Sequence, residues 1–169
     1  MDALDALLTR RSIRRFTGED VDESAVTKMI SAATAAPSAM NQQPWSFVVL
    51  RDADLQKRIP EIHPHAAMAK QAPVSIVLCG DLTNIQRQEF LAQDCAAATE
   101  NLLLAAHALG LGAVWCGIHP NEDRESDFRS LLGLPESVVP FAVIPIGHPA
   151  EEKPPSERYD PSRVHRDGW

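Results

Sequence analysis

Four arginines and one hydroxyl fall within the six positions Arg10-Arg11-Ser12-Ile13-Arg14-Arg15, directly before Phe16. A phosphate monoester carries about −1.5 to −2 charges and three acceptor oxygens, and forked guanidiniums match those oxygens two at a time. In a chain of net charge −7 this cluster reads as an anion site, while a solvated basic turn balancing nearby acids explains the composition equally well. A second group, Pro37-Ser38-Ala39-Met40-Asn41-Gln42-Gln43-Pro44-Trp45, is a polar loop delivered between a helix and a strand. Ser38, Asn41 and Gln43 offer donors and acceptors suited to a chain of hydroxyls or to the polar edge of a heterocycle, although singly each is a common turn residue. A third group, Gly110-Leu111-Gly112-Ala113-Val114-Trp115-Cys116-Gly117, sets glycines around a short strand. Its G-x-G precedes a strand and lacks the spacing of a G-x-G-x-x-G that opens a helix, so Rossmann-type binding is rejected.

Other chemistry-bearing residues point nowhere in particular. His63, His65, His107, His119, His148 and His165 lack the spacing of a helical metal site, and no metal is expected. His107 reads as a hydrogen-bonded packing residue. Cys79, Cys95 and Cys116 are odd in number and form no C-x-x-C unit, so each is expected to pack as a small apolar group. Cys116 has no evident basic neighbour in sequence to activate its thiol.

The elements that must position these groups follow from periodicity. Leu4, Leu7 and Leu8 at helical spacing predict a short helix over Asp2 to Arg10. Val26, Met29, Ile30 and Ala33 form the stripe of a second helix, capped by Asp22 and ended before Pro37. Four apolar runs, Phe47 to Leu50, Val74 to Leu78, Val114 to Cys116 and Phe141 to Ile146, predict buried strands. Helical patterns lie between them: Asp54 to Ile59, a turn near Pro64 to Ala69, Gln86 to Leu109, and Glu122 to Leu132 behind an Asn121 cap, with Gly110 and Gly133 at helix C-termini. Alternating strands and helices predict a layered mixture of the two, with strand order left open.

Length and composition set the bounds. The 169 residues, 44% hydrophobic and 23% charged, suit one compact domain over 1–169 with a stable core. An acidic balance of 23 to 16 argues against a nucleic-acid partner. The longest apolar stretch, Asn101 to Cys116, is broken by His107, Gly110 and Gly112 and is too short to span a membrane; no signal peptide is evident at Met1 to Arg15, and a cytoplasmic location is expected. Residues 149–169 change character: four prolines among charges predict a tail that is either disordered or laid over another surface, and the terminal Trp169 favours the second.

In order and spacing, R-R-S-I-R-R-F, A-P-S-A-M-N-Q-Q-P-W and N-L-L-L-A-A-H-A-L-G-L-G-A-V-W-C-G resemble the nitroreductase family, from about Leu7 to Arg158 and among its shorter members. The resemblance implies an α+β fold with a central, mostly antiparallel β-sheet flanked by helices. It implies FMN held without covalent linkage at the interface of a homodimer, and two-electron chemistry fed by NADH or NADPH. Arg10, Ser12 and Arg14 would then engage the FMN phosphate and ribityl chain, with Arg11 near the pyrimidine end of the ring. Pro37, Ser38 and Asn41 would reach the flavin bound mainly by the partner subunit, with Gln43 just behind them. Backbone N–H groups around Cys116 and Gly117 would address flavin N5 and O4, and Arg158 would be a second phosphate ligand supplied by the tail. The tail, 149–169, would cross the dimer and extend the partner's sheet.

Under this resemblance no side chain is expected to be an obligatory acid or base, because the cofactor carries the reaction. A one-site, ping-pong cycle with a nitroaromatic, quinone or similar small acceptor follows. Two other functions stay open: a specialised flavin reaction on the same fold, such as dehalogenation, flavin fragmentation or azoline oxidation, and a flavin-binding protein without turnover.

Overall fold

A computed structural model describes residues 1–83 and 85–169. Its centre is an antiparallel sheet of five strands: β1 (Trp45–Leu50), β2 (Val74–Asp81), β3 (Gly112–Ala113), β4 (Cys116–Gly117) and β5 (Val138–Gly147), ordered β1-β2-β5-β3, with β4 also paired to β5. Five helices surround it: α1 (Ala3–Thr9), α2 (Glu23–Thr34), α3 (Ala53–Ile62), α4 (Leu91–Ala108) and α5 (Glu122–Leu132). Among the described residues, no helix is long and apolar enough to cross a membrane.

The central strands β2 and β5 are buried on both faces, which is why they read as continuous apolar runs, while the edge strand β1 is half-buried with Val49 exposed. Along β2, Val74, Ile76 and Leu78 enter one core with Met29 and Ala33 of α2 and Cys95, Ala98 and Leu102 of α4. The intervening Val77 and Cys79 enter a second core with Ile59 of α3, Phe128 of α5 and Ala66 and Ala69 of a 3-10 segment, Pro64–Gln71. β5 divides in the same way, with Ala142, Ile144 and Ile146 to the first core and Val143 to the second. The two-residue period of a pleated strand therefore sorts the side chains between two helical layers.

Several expectations need correction. The run Val114 to Cys116 is not one strand: β3 pairs with Ile146 and Gly147, β4 with Ala142 and Val143, and Val114 and Trp115 lie between them. Pro145 stands opposite that gap and has no N–H to give, so only its carbonyl meets the Val114 N–H, at 3.4 Å. Asp22 occupies the N-terminal position of α2 without a side-chain capping bond. α3 runs on through Pro60 to Ile62, capped by Asp52, and α4 begins only at Leu91. Gly110 and Gly133 adopt left-handed φ of 77° and 63° at the ends of α4 and α5, as expected of residues without a Cβ. α1 forms, yet Leu4, Leu7 and Leu8 face outward while the small Ala6 is buried.

His63, at the C-terminus of α3, is buried beside Phe128. Its Nε2 lies 2.9 Å from the Gly117 carbonyl, which can only accept, so the ring proton sits on Nε2 and Nδ1 has no partner. Burial first, then the charges of Arg124 and His65, hold its pKa below the ordinary value of 6.5. The unfolded chain therefore binds this proton at a higher pH than the folded one does. The resulting stability is fully present above about pH 6.5 and is lost as pH falls below it. Replacing His63 by Gln should flatten the fall in unfolding free energy between roughly pH 6.5 and 5 by up to about 1.4 kcal/mol per pH unit. Urea titrations across that range test this, and equal slopes in the two proteins would mean that His63 titrates alike folded and unfolded.

Candidate functional site

The arginine segment is extended and is pinned from two sides. Ser12 forms a parallel bridge with Ala113, the Ile13 N–H donates to the Ala113 carbonyl at 3.0 Å, and Phe16 bridges Pro149. Gly112 permits this approach: a Cβ there would stand 2.6 Å from Ile13 Cγ2. On its other side runs the start of the tail. Ala150 N–H donates to the Arg15 carbonyl at 2.8 Å, Arg14 N–H to Glu151 Oε1 at 2.6 Å, and Lys153 Nζ to the Ser12 carbonyl at 2.7 Å. Arg11 Nη1 in turn donates to the Pro154 carbonyl at 2.8 Å.

This arrangement brings Arg10, Arg11, Ser12, Arg14, Lys153 and Arg158 around one polar cleft of about 170 Å³. Arg10 is steadied by Glu100 of α4, with Nε to Oε1 3.1 Å, and Lys153 by Glu151 at 3.3 Å. Among the described residues, no carboxylate pairs with the guanidinium of Arg11, Arg14 or Arg158. Arg158 Nε donates to Ser156 Oγ at 2.9 Å. Five cations facing one space with little neutralisation make a site for an anion of more than one charge, and the fork geometry of the guanidiniums suits phosphate. Arg11 and Lys153 also line a neighbouring cavity of about 350 Å³, walled by Thr9, Ile13, His107 and Leu111. His107 Nε2 donates to Thr9 Oγ1 at 2.8 Å, since that hydroxyl already donates to the Asp5 carbonyl.

Sequence reasoning missed Lys153. Its neighbours in sequence, Glu151, Glu152 and Pro154, present it as one more charge of a solvated tail. Only the fold shows that the tail doubles back along residues 11–15.

The Pro37–Trp45 loop is as polar as expected but lines no part of the cation cleft of its own chain. Ser38 Oγ accepts from the Gln43 N–H at 3.0 Å and Asn41 Oδ1 accepts from Gln43 Nε2 at 2.8 Å. Gln43 thus braces both Ser38 and Asn41. Met40, Asn41 and Gln43 have φ of 50°, 54° and 48°, a left-handed conformation that costs each non-glycine residue about 1–2 kcal/mol. Pro37 is exposed just ahead of them.

Cys116 and Gly117 form β4, with Cys116 buried and Gly117 half-buried. The Gly117 carbonyl accepts from His63 Nε2 and, at 3.4 Å, from Arg124 Nη1, so α3 and α5 both hold this strand. Burial pushes the Cys116 thiol up to about 11; the Arg14 charge acts in the opposite direction without prevailing. The basic neighbour invisible in sequence is therefore Arg14, and the thiol still stays protonated near neutrality. That influence puts Arg14 within electrostatic reach of β4. Cys79 and Cys95 are buried, with thiols pushed up to about 12, as packing residues should be.

Comparison with known proteins gives one consistent answer. The model of the nitroreductase family matches residues 7–67 and 62–148. A protein of Methanothermobacter thermautotrophicus, provisionally named NADH dehydrogenase/NAD(P)H nitroreductase, is 47% identical over 169 residues, covering 100% of this chain and 88% of that one. The solved structure of a protein of the same provisional name from Parabacteroides distasonis superposes with a TM-score of 0.94 at 37% identity, covering 98% of each chain. A provisionally named nitroreductase from Desulfovibrio desulfuricans, solved in complex with FMN, gives 0.85 at 32% identity, covering 100% of this chain and 99% of that one. With these matches spanning nearly every residue from the arginine segment to the end of β5, the chain belongs to the nitroreductase family.

Proposed function

We propose that this protein is a homodimeric flavin oxidoreductase that holds FMN and passes two electrons from NADH or NADPH to a nitroaromatic, a quinone or a similar small acceptor. The observation that carries the reading is the cluster of three guanidiniums, Arg11, Arg14 and Arg158, without carboxylate partners among the described residues, in a chain of net charge −7. FMN, when bound, supplies the redox chemistry that no side chain here can perform.

The residues present fit that cofactor. Arg10, Ser12, Arg14, Lys153 and Arg158 surround a space of phosphate polarity, and Glu100 orients Arg10 without sitting in the cleft lining. Arg11, exposed to the cleft from the next position, adds positive potential where a reduced ring would gather negative charge. The edge at Cys116 and Gly117, fixed through the Gly117 carbonyl, is suited to present backbone N–H groups to the ring. No acid–base residue is required of the chain, in keeping with an inert Cys116 thiol.

Pro37, Ser38, Asn41 and Gln43 find their use in a second copy. Their separation from the cleft of their own chain supports a site completed by the partner subunit. Leu4, Leu7 and Leu8 lie exposed on α1, next to an apolar groove walled by Leu104, Ala105 and Ala108 of α4, and want a cover of that kind. Beyond Arg158 the tail carries exposed Tyr159 and Val164 and a fully exposed Trp169 stacked on His165, which suits a segment that crosses to a neighbour. On the substrate side, residues between Leu50 and Val74 are consumed by α3 and the Pro64–Gln71 segment, whose Ile59, Ala66 and Ala69 are locked in the second core. Little chain is left there for a large lid, which favours a broad range of small acceptors.

Purified protein should be yellow and release FMN on denaturation, and it should oxidise NADH or NADPH in the presence of a nitroaromatic or quinone with parallel initial-rate lines. Colourless protein that ignores added FMN would overturn the assignment; intersecting lines would remove the ping-pong scheme alone. Arg158→Ala should raise the FMN dissociation constant by roughly 10- to 100-fold, as expected for losing a charge-assisted hydrogen bond of about 1.5–3 kcal/mol, with little change in thermal stability of the apoprotein. Fluorescence titration measures this, and an unchanged constant would remove Arg158 from the site. Deleting residues 160–169 should weaken both association and FMN retention in analytical ultracentrifugation with absorbance at flavin wavelengths; a truncated protein that stays dimeric and yellow contradicts the crossing tail.

A further inference from the structure

Asp94, in the first turn of α4, is the one carboxylate buried among the described residues, and no cation pairs with it. A buried carboxylate is costly unless its oxygens are met by donors. Both oxygens are met, and both donors come from the Pro37–Trp45 loop: the Ala39 N–H reaches Oδ1 at 2.9 Å and Gln42 Nε2 reaches Oδ2 at 2.7 Å. Gln42 cannot turn its amide over without loss. Its Oε1 accepts from the Arg87 N–H and its Nε2 also donates to the Arg87 carbonyl, both at 3.2 Å, which keeps Nε2 aimed at Asp94. The loop so held contains the three left-handed residues Met40, Asn41 and Gln43, a conformation that a free chain of this sequence would leave.

We infer that Asp94 is a positioning residue: from the rigid core helix it clamps residues 38–43 in the strained conformation that presents Ser38 and Asn41 to the nucleotide of the neighbouring subunit. This role rests on the proposed flavin function. Asp94 touches neither cofactor nor substrate. It acts through two neutral donors, which remain weakly bonded in a loop without it, while an ionised acceptor makes both bonds strong. α4 is anchored along its length by Cys95, Ala98, Leu102 and Ala106 in the first core, so the carboxylate cannot follow the loop outward.

The variants are Asp94→Ala, which removes both acceptors; Asp94→Asn, which leaves one; and Gln42→Ala, which removes one donor from a half-buried position and leaves the carboxylate in place. FMN release from the holoenzyme on dilution, read by the rise in flavin fluorescence, is measured beside the melting temperature of each protein. Asp94→Ala should raise the FMN dissociation constant about tenfold or more, in the range expected for losing hydrogen bonds to a charged group. Asp94→Asn and Gln42→Ala should fall between it and the wild type. A purely structural role lowers melting temperature in proportion to the change and leaves the dissociation constant of the folded variants alone. Wild-type retention of FMN in Asp94→Asn and Gln42→Ala therefore overturns this role, even if Asp94→Ala fails to fold. Wild-type protein that ignores FMN overturns the proposed function, and this role with it.

Discussion

Everything in this molecule that concerns chemistry depends on holding like charges together. Arg10, Arg11, Arg14, Lys153 and Arg158 share one cleft, and their mutual repulsion opposes the fold whenever the cleft is empty. The opposing force is not charge pairing, because among the described residues only Arg10 and Lys153 of these five have carboxylate partners. It is hydrogen bonding to the main chain: the Ile13 N–H is tied to the Ala113 carbonyl on one side, and on the other Arg15 and Thr17 are tied to Ala150 and His148 while the Lys153 ammonium holds the Ser12 carbonyl, so the guanidiniums are carried by a fixed main chain. A multiply charged anion turns that stored repulsion into affinity, since each cation then gains a partner without further ordering of the chain.

The sheet makes such stitching achievable. With both faces covered by helices, its central strands are fixed by two cores, and the short strands β3 and β4 inherit that rigidity from β5. Pro145 breaks the ladder between them, which frees Val114 and Trp115 to turn while Gly112 and Gly117 keep their places. The gap in the hydrogen-bond ladder thus lies beside the site, where a continuous strand would present a flat edge.

Much of this was legible in the sequence, and for physical reasons. Strands buried on both faces are apolar throughout, so β2 and β5 declared themselves, the apolar run of the half-buried β1 showed as well, and α2 and α5 showed their stripes or caps. Arg10 to Arg15 stood out because four guanidiniums within six positions are unusual in an acidic chain, although composition alone could not separate an anion site from a solvated basic turn. What did not show were relations across long separations. Lys153 looked like tail solvent because nothing local says that the tail folds back 141 positions onto Ser12. Asp94 fell inside the predicted helix Gln86 to Leu109 with nothing local to mark it, and its burial against Ala39 and Gln42 is a tertiary fact. The outward leucines of α1 misled in the opposite sense, because periodicity reports that a face is apolar without saying which molecule covers it. The split at Val114 was hidden because the proline responsible sits 31 positions away, in another strand.

The loop and the cleft make different demands, and their separation within one chain reconciles them. A cleft lined by unpaired cations tolerates solvent, which screens repulsion while the site is empty. A loop with three left-handed non-glycine residues needs the reverse, a dry anchor such as Asp94 where hydrogen bonds are strong and no water competes. Placing both on one continuous surface of a small chain would bury the cations or wet the anchor. The loop lines no part of the cleft of its own chain, so each keeps the dielectric it requires, and the proposed dimer would bring a second copy's loop to the first copy's cleft with the nucleotide between them.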